Sequence, residues 1–122
     1  MPPAVRALRG ATTLDADTVE QMRARVPALL RELLDRNGVE HEDIISVLFT
    51  ATEDITAMFP ATAARGAGLD DVPLLGAREL SVEGATPLCV RVLVHFTTER
   101  PRSELEHVYL EGARTVRDDV LR

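Results

Sequence analysis

The stretch Leu88-Cys89-Val90-Arg91-Val92-Leu93-Val94-His95-Phe96 constrains the fold more than any other part of the chain. Leu88, Val90, Val92, Val94 and Phe96 recur at a spacing of two, the period of a β-strand and not of a helix. So apolar a face needs a covering layer, which predicts a sheet packed against other elements. The opposite face carries Cys89, Leu93 and His95 together with one cation, Arg91. A guanidinium flanked in this way loses water, and without an anion that costs on the order of several kcal/mol. The strand holds no carboxylate, so its partner must come from elsewhere in the chain.

The remaining segments supply the layers. Val5 to Gly10 reads as a first strand. Val19, Met22, Val26, Leu29, Leu30 and Leu33 fall at helical spacing, with Asp15 or Asp17 as the cap and Asn37-Gly38 as the close. Pro27 interrupts this stripe, but the apolar positions stay in phase across it, which predicts one bent helix. Ile44 to Thr52 is a second strand, apolar enough for burial on both faces. Pro60 opens a short helix over 61–65, and Val72 to Val82 is a third strand. Leu88 to Thr97 is the fourth. Pro101 and Ser103 open a last helix that carries Leu105, Val108 and Tyr109 on one side and ends near Gly112. From about residue 113 the chain reads as a mobile tail. The order strand-helix-strand-helix-strand-strand-helix predicts a single α/β (α+β) domain over residues 1–122, with a mixed sheet.

Composition removes several chemistries. All 14 basic residues are arginine, although the net charge is -6. Without lysine there is no Schiff base, no pyridoxal-phosphate anchor and no P-loop lysine. Composition bias best explains that absence, but arginine's planar fork also suits carboxylates and phosphates. The single cysteine, Cys89, excludes an intrachain disulfide and a thiolate zinc site. His41, His95 and His107 are scattered, so no metal site is expected. An acidic balance with 3% aromatics argues against nucleic-acid binding. The start lacks the apolar core of a signal peptide, and no apolar run approaches a membrane span. A soluble cytoplasmic domain is expected.

The third strand offers a partner for Arg91. Glu79 shares a face with Leu75 and Ala77. If the third and fourth strands form a hairpin, Glu79 and Arg91 point into one cavity. On pattern alone the two are either a structural ion pair or a site whose anion is a ligand. Arg9, at the end of the first strand, is a second awkwardly placed cation.

Five segments taken together resemble the monofunctional α/β-type chorismate mutases. They are Arg9-Gly10-Ala11-Thr12-Thr13; Ala51-Thr52-Glu53-Asp54-Ile55 through Phe59-Pro60-Ala61 to Arg65; Val72-Pro73-Leu74-Leu75 with Glu79; Cys89-Val90-Arg91-Val92; and His107-Val108-Tyr109-Leu110-Glu111. The segments keep the family's order and spacing from residue 9 to about residue 120. The resemblance implies isomerisation of chorismate to prephenate, a Claisen rearrangement on the route to phenylalanine and tyrosine, with no cofactor, metal or covalent step. It implies a homotrimer whose three sheets, with helices on one side, form a pseudo-barrel, with active sites between chains. Arg91 matches the arginine at the breaking ether oxygen and Glu79 the glutamate facing the ring and its hydroxyl. Arg9 and Tyr109 match groups that hold a carboxylate, and Phe59 an apolar wall. Arg65 and Arg117 match outer arginines, and Leu75, Gly76 and Val116 complete the substrate contacts. Gly76 stands where some members have cysteine, Leu75 where some have threonine, and Thr62 where some have lysine. A non-catalytic trimeric carboxylate-binding module and an enamine or imine deaminase are the competing readings.

Overall fold

The apolar stripe of residues 19–33 becomes α1 (Val19–Asn37), with Met22, Val26, Leu29, Leu30 and Leu33 buried. In the computed structural model, which describes residues 2–115, this helix runs on through Pro27. A proline inside a helix costs about 3 kcal/mol, but burying each leucine or valine returns about 1.5–3 kcal/mol, so the stripe prevails. The cap is Thr18, whose hydroxyl accepts the Gln21 N–H at 3.1 Å, and neither Asp15 nor Asp17. Both aspartates are engaged elsewhere: Asp15 pairs with Arg25 at 2.8 Å, and Asp17 binds the loop at Thr56 and Ala57. Gly38 closes the helix at φ 62°, a left-handed conformation that favours glycine.

Five strands form a mixed sheet: β1 (Ala4–Thr13), β2 (Ile44–Ala51), β3 (Leu74–Arg78), β4 (Cys89–Thr98) and β5 (Val108–Tyr109). Their order is β3-β2-β4-β1-β5. β4 runs antiparallel to both β1 and β2, while β3 is parallel to β2 and β5 parallel to β1. β4 is therefore central and alternates as its sequence demands, with Val90, Val92, Val94 and Phe96 buried. These residues share one core with Leu8, Phe49 and the stripe of α1. The short α2 (Pro60–Ala64) packs against α1 and β2 and buries its alanines. Both helices thus cover one face of the sheet. Gly10 makes the closest approach possible, because a Cβ there would lie 3.2 Å from Leu29 and 3.1 Å from the Val108 carbonyl.

Several expectations are corrected. The third and fourth strands are not a hairpin, since β2 lies between β3 and β4. β2 is not buried on both faces: Leu48 is 37% exposed within the chain, because the helices cover only one side. β3 is shorter than Val72–Val82, as it is an edge strand that pairs only with β2. The last helix does not form. In its place stand a 3-10 turn at Arg102–Glu104, β5, and a second 3-10 turn at Glu111–Thr115. Three apolar residues are a weak helical signal, and β-branched Val108 beside Tyr109 suits the free edge of β1. The predicted tail starts too early, as Ala113 is fully buried; from 116 onward it lies outside the described residues.

This irregular C-terminal segment is held by side chains. Asn37, 1% exposed at the end of α1, donates to the Glu106 carbonyl at 2.9 Å and accepts the Glu106 N–H at 2.7 Å. Asn37→Ala removes both bonds and strands main-chain groups, so it should destabilise the fold by about 1–3 kcal/mol. Urea unfolding is expected to show a lower midpoint with an unchanged slope.

Candidate active site

The face of the sheet turned away from the helices carries a row of residues fixed by register. Arg91 of β4 lies opposite Ala11 of β1 on one side and Thr50 of β2 on the other. Ala11 in turn pairs with Tyr109 of β5, and Thr50 with Ala77 of β3. Glu79 follows β3 and continues its ladder, donating its N–H to the Ala51 carbonyl at 3.0 Å. Its side chain returns over the same face, where Oε1 lies 3.0 Å from Arg91 Nε. The ion pair of the sequence reading therefore forms by a different route, across β2.

The pair is incompletely satisfied. The Nε–H of Arg91 is not directed at the nearby carboxylate oxygen, so it makes an ion pair and no hydrogen bond. Among the described residues, buried Arg91 Nε, Glu79 Oε2, Tyr109 OH and Thr50 Oγ1 have no hydrogen-bond partner. Each such atom costs about 1–3 kcal/mol, and four of the six unpartnered buried side-chain atoms among the described residues fall in this one row. Thr50 joins this row without any signal in the sequence, because only the strand order sets it beside Arg91. Arg9, exposed on the same face, lies opposite Leu93. Cys89 sits two residues from Arg91, and burial pushes its thiol up to about 11 although the Arg91 charge pulls the other way.

Phe59, Gly76 and Arg65 lie apart from this row. Phe59, 76% exposed, and Gly76 line a cavity of about 230 Å³ at the β3 edge, together with Ile55, Met58 and Arg78. The Asp17 carboxylate fixes the loop before Phe59, accepting the Thr56 hydroxyl at 2.6 Å and the Thr56 and Ala57 N–H groups at 3.0 Å. The Thr56 hydroxyl bond, then the Ala57 N–H, hold that carboxyl below its usual range. Arg65 is exposed at the end of α2, and Leu75 is 64% exposed on the open face. Tyr109 lies on β5 and not on a helix. Val116 and Arg117 lie outside the described residues. A larger surface hollow, of about 410 Å³ beside Gly38 and Arg100, holds none of these residues. Among the described residues no cluster of His, Cys, Asp and Glu is placed to hold a metal, and no helix is long and apolar enough to cross a membrane.

Residues 5–120 match the family chorismate mutase type I. The chain is 44% identical to the chorismate mutase AroH of Thermus thermophilus, over 95% of its own length and 96% of that protein. It is 36% identical to the chorismate mutase AroH of Bacillus subtilis, over 95% of its length and 92% of that protein. Its fold is similar to the solved chorismate mutase from Clostridium thermocellum, with a TM-score of 0.87 and 41% identity, covering 90% of this chain and 98% of that one. The chain belongs to the chorismate mutase type I family, a family of isomerases in aromatic amino acid biosynthesis.

Cys89 is 1% exposed and its thiol is raised to about 11, so it should be unreactive toward a thiol reagent at mildly alkaline pH. One equivalent of thiol is expected to react only after unfolding in denaturant.

Proposed function

We propose that the open-face row converts chorismate to prephenate by electrostatic stabilisation of the transition state. The observation that carries this reading is the Arg91–Glu79 pair, 3.0 Å apart, with a donor and an acceptor left over in the row that also carries Tyr109. The substrate carries two carboxylates and an ether oxygen. As the C–O bond breaks, negative charge gathers on that oxygen while the ring becomes partly positive. The fixed guanidinium of Arg91 binds this charge more strongly in the transition state than in the ground state, which is what accelerates a reaction. The free Nε–H of Arg91 supplies a directed donor. Glu79 Oε2 accepts the ring hydroxyl and faces the positive ring. Tyr109 and Arg9 hold a carboxylate, and the cleft keeps the substrate folded for bond formation. The rearrangement moves bonds within one molecule, so this reading assigns no step to a metal, a cofactor or a covalent intermediate.

The same reading makes the enzyme a homotrimer of single-domain chains with its sites between neighbours. Phe59, Gly76 and Arg65 stand apart from Arg91 and Glu79 within one chain, and a neighbouring chain that brings its edge cavity to the open face unites the two groups. Leu75, with Val116 and Arg117 beyond the described residues, belongs to the same proposed set of substrate contacts. Exposed Val5, Leu48 and Leu75 on the open face support association through that face. The single cysteine, kept as a buried thiol, supports a cytoplasmic location.

Loss of chorismate absorbance with purified protein tests the activity; no acceleration by folded protein refutes it. Arg91→Ala is expected to lower kcat by about 10²–10³-fold with the fold intact, as removal of one oxyanion donor does. Light scattering should give a mass about three times the 13.4 kDa chain. Leu48→Glu places a charge on the open face and should shift that mass toward the monomer while activity falls.

A further inference from the structure

Arg9 reaches its place through a side chain on another segment. Its main-chain N–H donates to His107 Nδ1 at 2.9 Å. β5 pairs with β1 only at Gly10 and Ala11, so the imidazole supplies the bond that a longer β5 would have given Arg9. His107 is itself held on both sides. The Asn37 side chain bonds both main-chain groups of Glu106 immediately before it. Three residues beyond it, the Leu110 N–H donates to the Ala11 carbonyl at 2.9 Å. Asn37 therefore anchors a segment that offers one acceptor to Arg9 and then places Tyr109 beside Ala11.

The bond dictates the state of the ring. An imidazole accepts at Nδ1 only with a lone pair there, so its proton sits on Nε2. A doubly protonated ring opposes one N–H with another and the bond is lost. The groups facing His107 are Arg6 and Arg9 of β1, His95 of β4 and Arg102 of the preceding turn. Arg6, His95 and Arg102 line one hollow of about 290 Å³ with His107, and among the described residues no carboxylate lines it. His107 as a whole is exposed. Partial burial of the ring and then the charge of Arg9 hold it below its ordinary value of 6.5.

We propose that His107 is a positioning residue: its neutral Nδ1 fixes the main chain of Arg9, and so the direction in which Arg9 offers its guanidinium to a substrate carboxylate. This rests on the reading of Arg9 as a carboxylate-binding residue. Protonation of His107 breaks that bond, leaves the main chain of Arg9 held only by its pairing with Leu93 of β4, and weakens its grip on the substrate, while the Arg91–Glu79 pair, on β4 and just after β3, keeps its geometry. The effect therefore falls on KM more than on kcat.

The test is the pH dependence of kcat and KM for chorismate in the parent, His107→Ala, His107→Asn and Arg9→Ala, with folding checked by circular dichroism. At neutral pH, His107→Ala is expected to raise KM by about threefold to tenfold, the equivalent of one lost hydrogen bond. His107→Asn offers an amide oxygen near the position of Nδ1 and should restore most of that loss. In the parent, KM should rise as pH falls below 6.5, because a lowered His titrates on the acid side of its ordinary value. His107→Asn should lack that rise, since an amide does not titrate; a merely structural histidine would not move this profile. A parent-like KM in folded His107→Ala, or an undiminished acid rise in His107→Asn, overturns the proposal. If His107→Ala does not fold, the Asn profile decides alone. Unchanged KM in Arg9→Ala overturns the reading of Arg9 itself. Raised KM there with the acid rise kept in His107→Asn sinks only the role of His107.

Discussion

A sheet has two faces, and the helices of one chain cover only one of them. Met22, Val26, Leu29 and Leu33 of α1 meet Leu8, Val90, Val92 and Phe96 in a single core. That contact sets the orientation of every strand, because side chains alternate across a strand and register then assigns each residue a face. Arg91 is directed to the open side as a consequence of the valines beside it. Glu79, Thr50, Ala11 and Tyr109 reach the same row because β2 and β1 flank β4 with fixed pairing. The proposed chemistry is thus a by-product of which face the core claims.

Side chains replace secondary structure where the chain becomes irregular. Among the described residues, the C-terminal segment after β4 contains only a two-residue strand and 3-10 turns, yet it carries Tyr109. Asn37 anchors it to α1, His107 to β1, and the Thr13 hydroxyl accepts the Gly112 N–H at 2.9 Å. Gly112 is required there, as a Cβ would lie 2.8 Å from that hydroxyl. On the other side of the sheet Asp54 accepts the Leu88 N–H at 2.9 Å, and Thr52 accepts the Cys89 N–H at 3.0 Å. These bonds fix the start of β4 two residues before Arg91. In a protein of net charge -6, the open face thus carries two arginines, Arg9 and Arg91, on neighbouring strands.

The strongest periodic segments were legible in advance. β4 and α1 declared themselves by periods of 2 and 3.6, and Pro27 could not override a stripe with so much apolar area. The weakest failed for a physical reason. Leu105, Val108 and Tyr109 fit a helix by spacing, but a three-residue pattern carries little energy beside the free edge of β1. Gly38 closes α1 as expected, but Thr18, Asp15 and Asp17 are all competent at its start, and only tertiary contacts decide which is free. The pairing of Glu79 with Arg91 was legible as a demand for charge compensation, but its route was not.

The sequence alone determined that β4 must be covered on one face, that Arg91 needs an anion, and that five motifs stand in one family's order. Those conclusions follow from local chemistry: alternation, desolvation and residue type. Only the tertiary structure decided that β2 lies between β3 and β4, that Thr50 joins the row, and that His107 holds Arg9. These are contacts between residues tens of positions apart, up to 98 for Arg9 and His107, and no local pattern encodes which distant partner will be adjacent. Strand order settles that, and strand order is set by how the whole chain buries its apolar surface.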